Sequence, residues 1–243
     1  VLKTTYKIEN GLLSGCQWCP SPNYNARPLP NYSARPASNE SSLNQDMLVT
    51  AIDLLVIHNI SLPPAQFENG YIEAFFQNIL PVNDHPYFAE IADLNVSAHL
   101  LVTRSGKVIQ FVNLNERAWH AGASCFAGRV NCNDFSIGIE MEGTDHLAYT
   151  YQQYQALAAV TSAIRVAYPA ISTSSIVGHS DIAPGRKTDP GESFNWPYFF
   201  QLISAADETS CDDHHSRFND LDLNESALNE PGLNLPDAKE QQV

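Results

Sequence analysis

The sequence predicts an α/β fold, one domain built on a central mixed β-sheet with helices against it. Three patterns carry that expectation. Leu54, Val56 and their neighbours Leu55 and Ile57 form a short unbroken apolar run, as in a strand buried on both faces. Residues 136–142 instead alternate, with Ile137, Ile139 and Met141 on one face and Ser136, Gly138, Glu140 and Glu142 on the other. Between and after them lie segments whose apolar residues recur at helical spacing, so strands and helices are mixed along the chain.

Each element follows from local chemistry. Tyr71, Ile72, Phe75, Phe76 and Ile79 share one helical face, and Pro81 stops that helix. Residues 99–103 and 108–112 flank Arg104-Ser105-Gly106-Lys107, a β-hairpin with a glycine in its turn. Thr150 followed three residues later by Gln153 is a capping box opening a helix that Pro169 closes. Asn195-Trp196-Pro197 starts a last helix expected to end near Ala205, with Asn as N-cap and Pro in the first turn.

The flanks have a different composition. Residues 16–47 carry Pro20, Pro22, Pro28, Pro30 and Pro36, a density that excludes helix interiors and central strands. The stretch SARPASNESSLNQ within it reads as an exposed loop or insertion. Residues 207–243 hold ten acidic and two basic side chains with few large apolar ones, so this tail is expected to stay disordered. Three regions result: an N-terminal extension and Pro-rich loop (1–47), a globular domain (48–205) and an acidic tail (206–243).

Charge bounds the partners. Among 243 residues there are 13 Lys plus Arg against 27 Asp plus Glu, a net charge of −14. Phosphate neutralisation needs clustered cations, so neither a nucleic acid nor an anionic membrane is an expected partner. No apolar run approaches the ~18 residues that span a bilayer. Five cysteines make an odd count with no dense framework, which points to a reducing, cytoplasmic setting. Cys16-x-x-Cys19 has metal-knuckle spacing but no second pair, and is read as reduced and incidental.

Chemistry concentrates at two places. His58 follows the apolar strand at a sheet rim, where a histidine serves either a site or a structural hydrogen bond. Residues 178–191 pack a His, two Asp, an Arg and a Lys into a loop stiffened by two prolines and three glycines. Two imidazoles and one carboxylate with a fourth position open form the ligand set of a catalytic zinc. His58, His179 and Asp189 fit that set, and a turn-rich surface loop with a salt bridge is the other reading of the same residues. A carboxylate beside such a centre can act as general base. Glu140, deeper in its strand than Glu142, is the candidate, with Glu142 expected at the rim and an exposed strand face as the alternative for both. His99 is expected to be a sheet hydrogen-bonder. Trp119, beside His120, is expected either to stack on a sugar ring or to pack in the core. No G-x-S-x-G motif offers a serine nucleophile.

Five blocks in order then carry a resemblance: HNISLPP (58–64), HPYFAEIADLNVSAHLL (85–101), RAWHAG (117–122), CNDFSIGIEMEGTD (132–145) and GHSDIAPGRKTDPG (178–191). Together they resemble the AmpD-type N-acetylmuramoyl-L-alanine amidases, zinc enzymes of the superfamily that includes peptidoglycan-recognition proteins, over about residues 19–203. The resemblance implies one zinc ion per chain on His58, His179 and Asp189, a catalytic carboxylate at Glu140 and an oxyanion-stabilising cation at Lys187. It implies a cytoplasmic hydrolase of cell-wall recycling, and the chain is expected to be a monomer. The substrate would be a 1,6-anhydro-N-acetylmuramoyl peptide cut between the lactyl carbonyl and L-alanine, with Asn59 and Trp119 lining the groove.

Two positions depart from the expected pattern. Where basic side chains for the peptide's carboxylates are expected, the chain has Asn95 and Asn131, and Arg129 is the nearby substitute. Residues 61–91 are expected to form a mobile lid. A non-catalytic peptidoglycan-binding module and a periplasmic autolytic amidase are the rival readings. Members that only bind typically lose a ligand or the catalytic carboxylate, and this chain keeps all five positions.

Overall fold

The structure, a computed structural model, describes residues 6–29 and 51–215, with side chains as far as 205. The sequence's loop at 31–47 and most of the acidic tail lie outside the described residues.

The chain opens with four two-residue strands, β1 (Ile8–Glu9), β2 (Leu12–Leu13), β3 (Gln17–Trp18) and β4 (Tyr24–Asn25). The buried strand β5 (Leu54–Ile60) leads into helices α1 (Tyr71–Phe76) and α2 (Pro86–Ile91). The hairpin β6 (Leu100–Val102) and β7 (Val108–Gln110) follows, then β8 (Arg117–Ala118), β9 (Cys125–Phe126) and β10 (Arg129–Val130). Strand β11 (Ser136–Glu142), helix α3 (Tyr151–Ala167), strand β12 (Ile176–Gly178), the single turn α4 (His179–Ile182) and helix α5 (Trp196–His215) complete it.

The main sheet has the order β12-β5-β11-β6-β7-β3. Its first four strands are parallel, and β7 turns back antiparallel to β6, so the sheet is mixed as the sequence predicts. One face of the central strands, Leu55, Ile57, Ile137, Ile139 and Met141, packs with Leu157, Val160 and Ile164 of α3 and Phe199 and Ile203 of α5. On the other face Leu54 and Val56 join Ala121, Phe135 and Ile182. Apolar residues therefore fill both faces of β5. Burying each such side chain contributes roughly 1.5–3 kcal/mol.

Residues 6–29 are integral to this body. Strand β3 is an edge of the main sheet, the place where a proline-rich chain can still pair. Arg27 is buried and donates to the carbonyls of Leu114, Asn115, Asn133, Asp134 and Ser136, which ties the segment to the start of β11.

Several boundaries differ from expectation. Helix α1 stops at Phe76, because Asn78 takes φ +60° and turns the chain before Pro81. His58 lies inside β5 instead of beyond its end, since β11 pairs with β5 along all seven residues. Helix α5 runs past Ala205 to His215, and no Gly or Pro interrupts that stretch. The capping box of α3 is present: Thr150 Oγ1 accepts from Gln153 N and Gln153 Oε1 from Thr150 N, both at 3.1 Å. Within residues 61–91, several apolar side chains pack against the sheet. Phe75, Phe76 and Phe88 are buried, and Ser21 Oγ donates to Phe76 O across 2.5 Å.

Candidate active site

The parallel strands place their C-terminal ends together, and the polar residues of the sheet gather there. His58 is the fifth residue of β5, Glu140 the fifth of β11, and His179 follows β12 directly. Asp189 returns on the loop after α4. That loop is braced by Ser180 N to Asp189 O (3.0 Å) and by the Tyr149 hydroxyl to Pro190 O (2.8 Å). Gly191 is required here: at φ +83° a Cβ would lie 2.1 Å from Asp145 Cα. The segment 178–191 is thus partly helical at its start, where Asp181 Oδ2 accepts from Gly178 N at 2.7 Å. Asp181 is a cap and takes no part in the cluster.

The two imidazoles and the carboxylate converge. His58 Nδ1 and His179 Nδ1 are 2.9 Å apart, and each lies close to Asp189 Oδ2, at 3.1 Å and 3.0 Å. All three residues are buried, and their donor atoms lie within 4.8 Å of one another. Burial pushes the His58 imidazole down to about 4, so it is neutral at physiological pH. Burial alone would raise the Asp189 carboxyl, but the adjoining His179 and His58 imidazoles outweigh it and hold the group well below the usual range. An uncharged imidazole and an ionised carboxylate are the states that a divalent zinc requires of its ligands. By donor chemistry the residues present fit the metal.

Glu140 stands beside this cluster. Burial raises its carboxyl well above the usual value, the nearby Asp189 charge raises it further, and Lys187 partly offsets both. Its Oε2 is buried without a hydrogen-bond partner among the described residues. Glu142 is a different case: only 2% exposed, it accepts from Glu68 N at 2.5 Å and Arg104 N at 2.9 Å. It closes the end of β11 against two loops instead of sitting at an open rim. Neither glutamate lies on an exposed strand face.

The cluster opens into a cavity of about 710 Å³. One wall is apolar, with Pro64, Phe75, Phe76, Tyr87, Ile91 and Leu94, and the other is polar, with Thr144, Asp145, His146, Arg186, Lys187 and Thr188. Asn59 and Trp119 both line it. Asn59 Nδ2 donates to Asp145 Oδ1 at 2.8 Å, and Trp119 Nε1 to Asn25 Oδ1 at 2.7 Å.

Arg129, expected to bind substrate, lies outside the cavity lining. Its guanidinium pairs with Asp53 at 2.7 Å and stacks 3.8 Å from the Phe135 ring centroid. The β9–β10 hairpin points it toward the start of β5, away from the strands' C-terminal ends. Asn95 and Asn131 also lie outside the lining. The cation that sequence reasoning passed over is Arg186, whose Nη2 donates to Ala121 O and Ala123 O, each at 2.7 Å, at the cavity's polar wall.

His99 acts within the sheet, as expected: its Nδ1 accepts from Gly138 N at 3.0 Å and its Nε2 lies 3.0 Å from Glu116 O. Cys16 and Cys19 carry free thiols. No helix among the described residues is long and apolar enough to cross a membrane.

Comparison with known proteins gives a consistent family. The sequence profile of the N-acetylmuramoyl-L-alanine amidases matches residues 48–192. The Escherichia coli (strain K12) 1,6-anhydro-N-acetylmuramyl-L-alanine amidase AmpD is 50% identical over 197 residues, covering 81% of this chain and 97% of that protein. The Citrobacter freundii AmpD is 49% identical over 197 residues, covering 81% and 95%. A crystal structure of a selenomethionine AmpD derivative superposes with a TM-score of 0.71 at 49% identity, over 81% of this chain and 98% of that one.

Proposed function

The chain belongs to the AmpD-type N-acetylmuramoyl-L-alanine amidases and is an amidase, and we propose that it uses one zinc ion to hydrolyse 1,6-anhydro-N-acetylmuramoyl peptides in peptidoglycan recycling. The bond cut is the amide between the lactyl group of the sugar and L-alanine. The observation that carries the reading is the convergence of His58, His179 and Asp189 beside the Glu140 carboxylate, whose Oε2 has no partner among the described residues, inside one cavity.

His58, His179 and Asp189 would hold the metal. When bound there, zinc supplies a Lewis acid for the scissile carbonyl and for water. Glu140, its proton affinity raised by burial, takes the proton of the attacking water and delivers it to the departing amine. Lys187 lies on the polar wall, where its ammonium opposes the charge that develops on the carbonyl oxygen. The apolar wall and the Trp119 ring accept the sugar, while Asn59, held by Asp145, orients the polar part of the substrate. A monomeric chain in a reducing cytoplasm, the setting argued from the cysteine count, completes the proposal.

Mass-spectrometric detection of peptide released from an anhydromuramoyl tripeptide, with and without a zinc chelator, tests this. Release that stops with chelator and returns with zinc is the expected result. Release that the chelator leaves untouched, or no release by stoichiometrically zinc-loaded protein, overturns it.

A further inference from the structure

His120 is a partly buried imidazole of the cavity lining that the proposed reaction does not use. It faces a ligand, not the cluster: His120 Nδ1 is 2.9 Å from His58 Nε2, and the two rings meet edge to face at 5.0 Å and 84°. On its far side His120 Nε2 is 3.1 Å from Ser136 Oγ. Its backbone is fixed as well, because Asn133 Oδ1 accepts from both His120 N and Ala121 N. Room for the ring comes from Gly138, where a Cβ would lie 2.5 Å from His120 Cγ and Nδ1.

A neutral imidazole has one N–H, so the row His58–His120–Ser136 can run with either polarity. With one polarity the Ser136 hydroxyl donates to His120, His120 Nδ1 donates to His58 Nε2, and the His58 proton sits on Nδ1 toward Asp189. That arrangement is attractive to Asp189, and it leaves His58 without a lone pair for a cation. With the other polarity His58 Nε2–H donates to His120 Nδ1, His120 Nε2–H donates to Ser136 Oγ, and His58 Nδ1 is bare. His179 is set the same way, since its Nε2 is 3.0 Å from Ala121 O, a carbonyl that can only accept.

We infer that His120 is a positioning residue: by accepting the Nε2 proton of His58 it turns the His58 Nδ1 lone pair toward His179 Nδ1 and Asp189 Oδ2. The inference rests on the zinc reading above, and it adds two residues, His120 and Ser136, that act on the metal through His58. Second partners of this kind typically change metal affinity 10–100-fold.

The test is zinc affinity, measured by competition with a chromophoric chelator, on full-length wild type, His120→Phe, His120→Asn and Ser136→Ala, each checked for native near-UV circular dichroism. His120→Phe keeps a ring but removes the acceptor, and is expected to weaken zinc binding about 10–100-fold. His120→Asn offers an amide oxygen near the Nδ1 position and is expected to recover most of that loss. Ser136→Ala removes only the acceptor of His120 Nε2–H and should weaken binding several-fold. Wild-type affinity in folded His120→Phe overturns the inference, as does a folded His120→Asn no better than His120→Phe, which would make the role one of packing. If His120→Phe does not fold, unchanged affinity in Ser136→Ala overturns it. Wild-type protein that takes up no zinc overturns the metal reading itself, and is thereby distinguished from loss confined to the variants.

Discussion

His58 and Glu140 are directly paired across adjacent parallel strands, the fifth residue of β5 against the fifth of β11. Paired positions in a sheet project to the same face, so one hydrogen-bonded ladder sets a metal-type ligand and a carboxylate side by side. No loop has to find that geometry. The arrangement also explains the electrostatics: a carboxylate fixed in the body of a sheet is desolvated, and its proton affinity rises.

Glu140→Gln follows from this. Removing the base should lower turnover by about 10²–10⁴-fold while zinc uptake stays stoichiometric. Stability should move the other way. A carboxyl whose folded-state proton affinity is raised contributes stability at low pH that is lost as pH rises. The metal-free variant should therefore be more stable than metal-free wild type at pH 7, by a margin that grows as pH rises above the ordinary carboxyl range. Urea unfolding at several pH values, beside the activity assay, measures both.

Metal removal gives a separate expectation. A ligand that binds only the folded state stabilises by mass action, so the unfolding temperature of wild type should climb with added zinc. His179→Ala, which deletes one donor, should abolish that climb. Differential scanning fluorimetry with a zinc titration decides it, and an equal zinc response in the variant would remove His179 from the ligand set.

Arg129→Ala should leave KM for a tripeptide substrate unchanged. Its side chain is engaged by Asp53 and Phe135, and is half-exposed, so the loss is one of stability, a few tenths to about 1 kcal/mol. Steady-state kinetics and a denaturant midpoint separate the two effects. A raised KM with no change in stability would return Arg129 to the substrate.

Acid should weaken the fold through His99. Burial, with the charge of Arg27 adding to it, pushes that imidazole down to about 3. The folded protein keeps it neutral while the unfolded chain takes a proton below about pH 6.5. Its contribution is complete above that value and is lost as pH falls from 6.5 toward 3. At pH 5 the loss is up to about 2 kcal/mol. His99→Asn should shrink the difference in metal-free stability between pH 7 and pH 5 by a similar amount, read from urea midpoints.

Much of the site is legible in the amino-acid sequence. Two histidines and an aspartate have a chemistry that few roles need, and the alternation of residues 136–142 assigns Glu140 to the polar face of its strand. Caps and turns are legible for the same local reason: Thr150 and Gln153 find each other within one helical turn. What stays illegible depends on distance along the chain. His120 reaches His58 across 62 residues, and its partner glycine, Gly138, looks in the sequence like any other small residue.

The amino-acid sequence by itself therefore determined the strand and helix pattern, the mixed-sheet class, the family likeness and the donor set, because each rests on residue type and short-range spacing. Only the tertiary structure decided that Arg129 serves Asp53 and Phe135, that Glu142 closes two loops, that Arg186 braces the 121–123 turn, and that His120 backs His58. Those roles arise where strands from distant parts of the chain are laid edge to edge, and a side chain's partner there is set by sheet register and burial rather than by its neighbours in sequence.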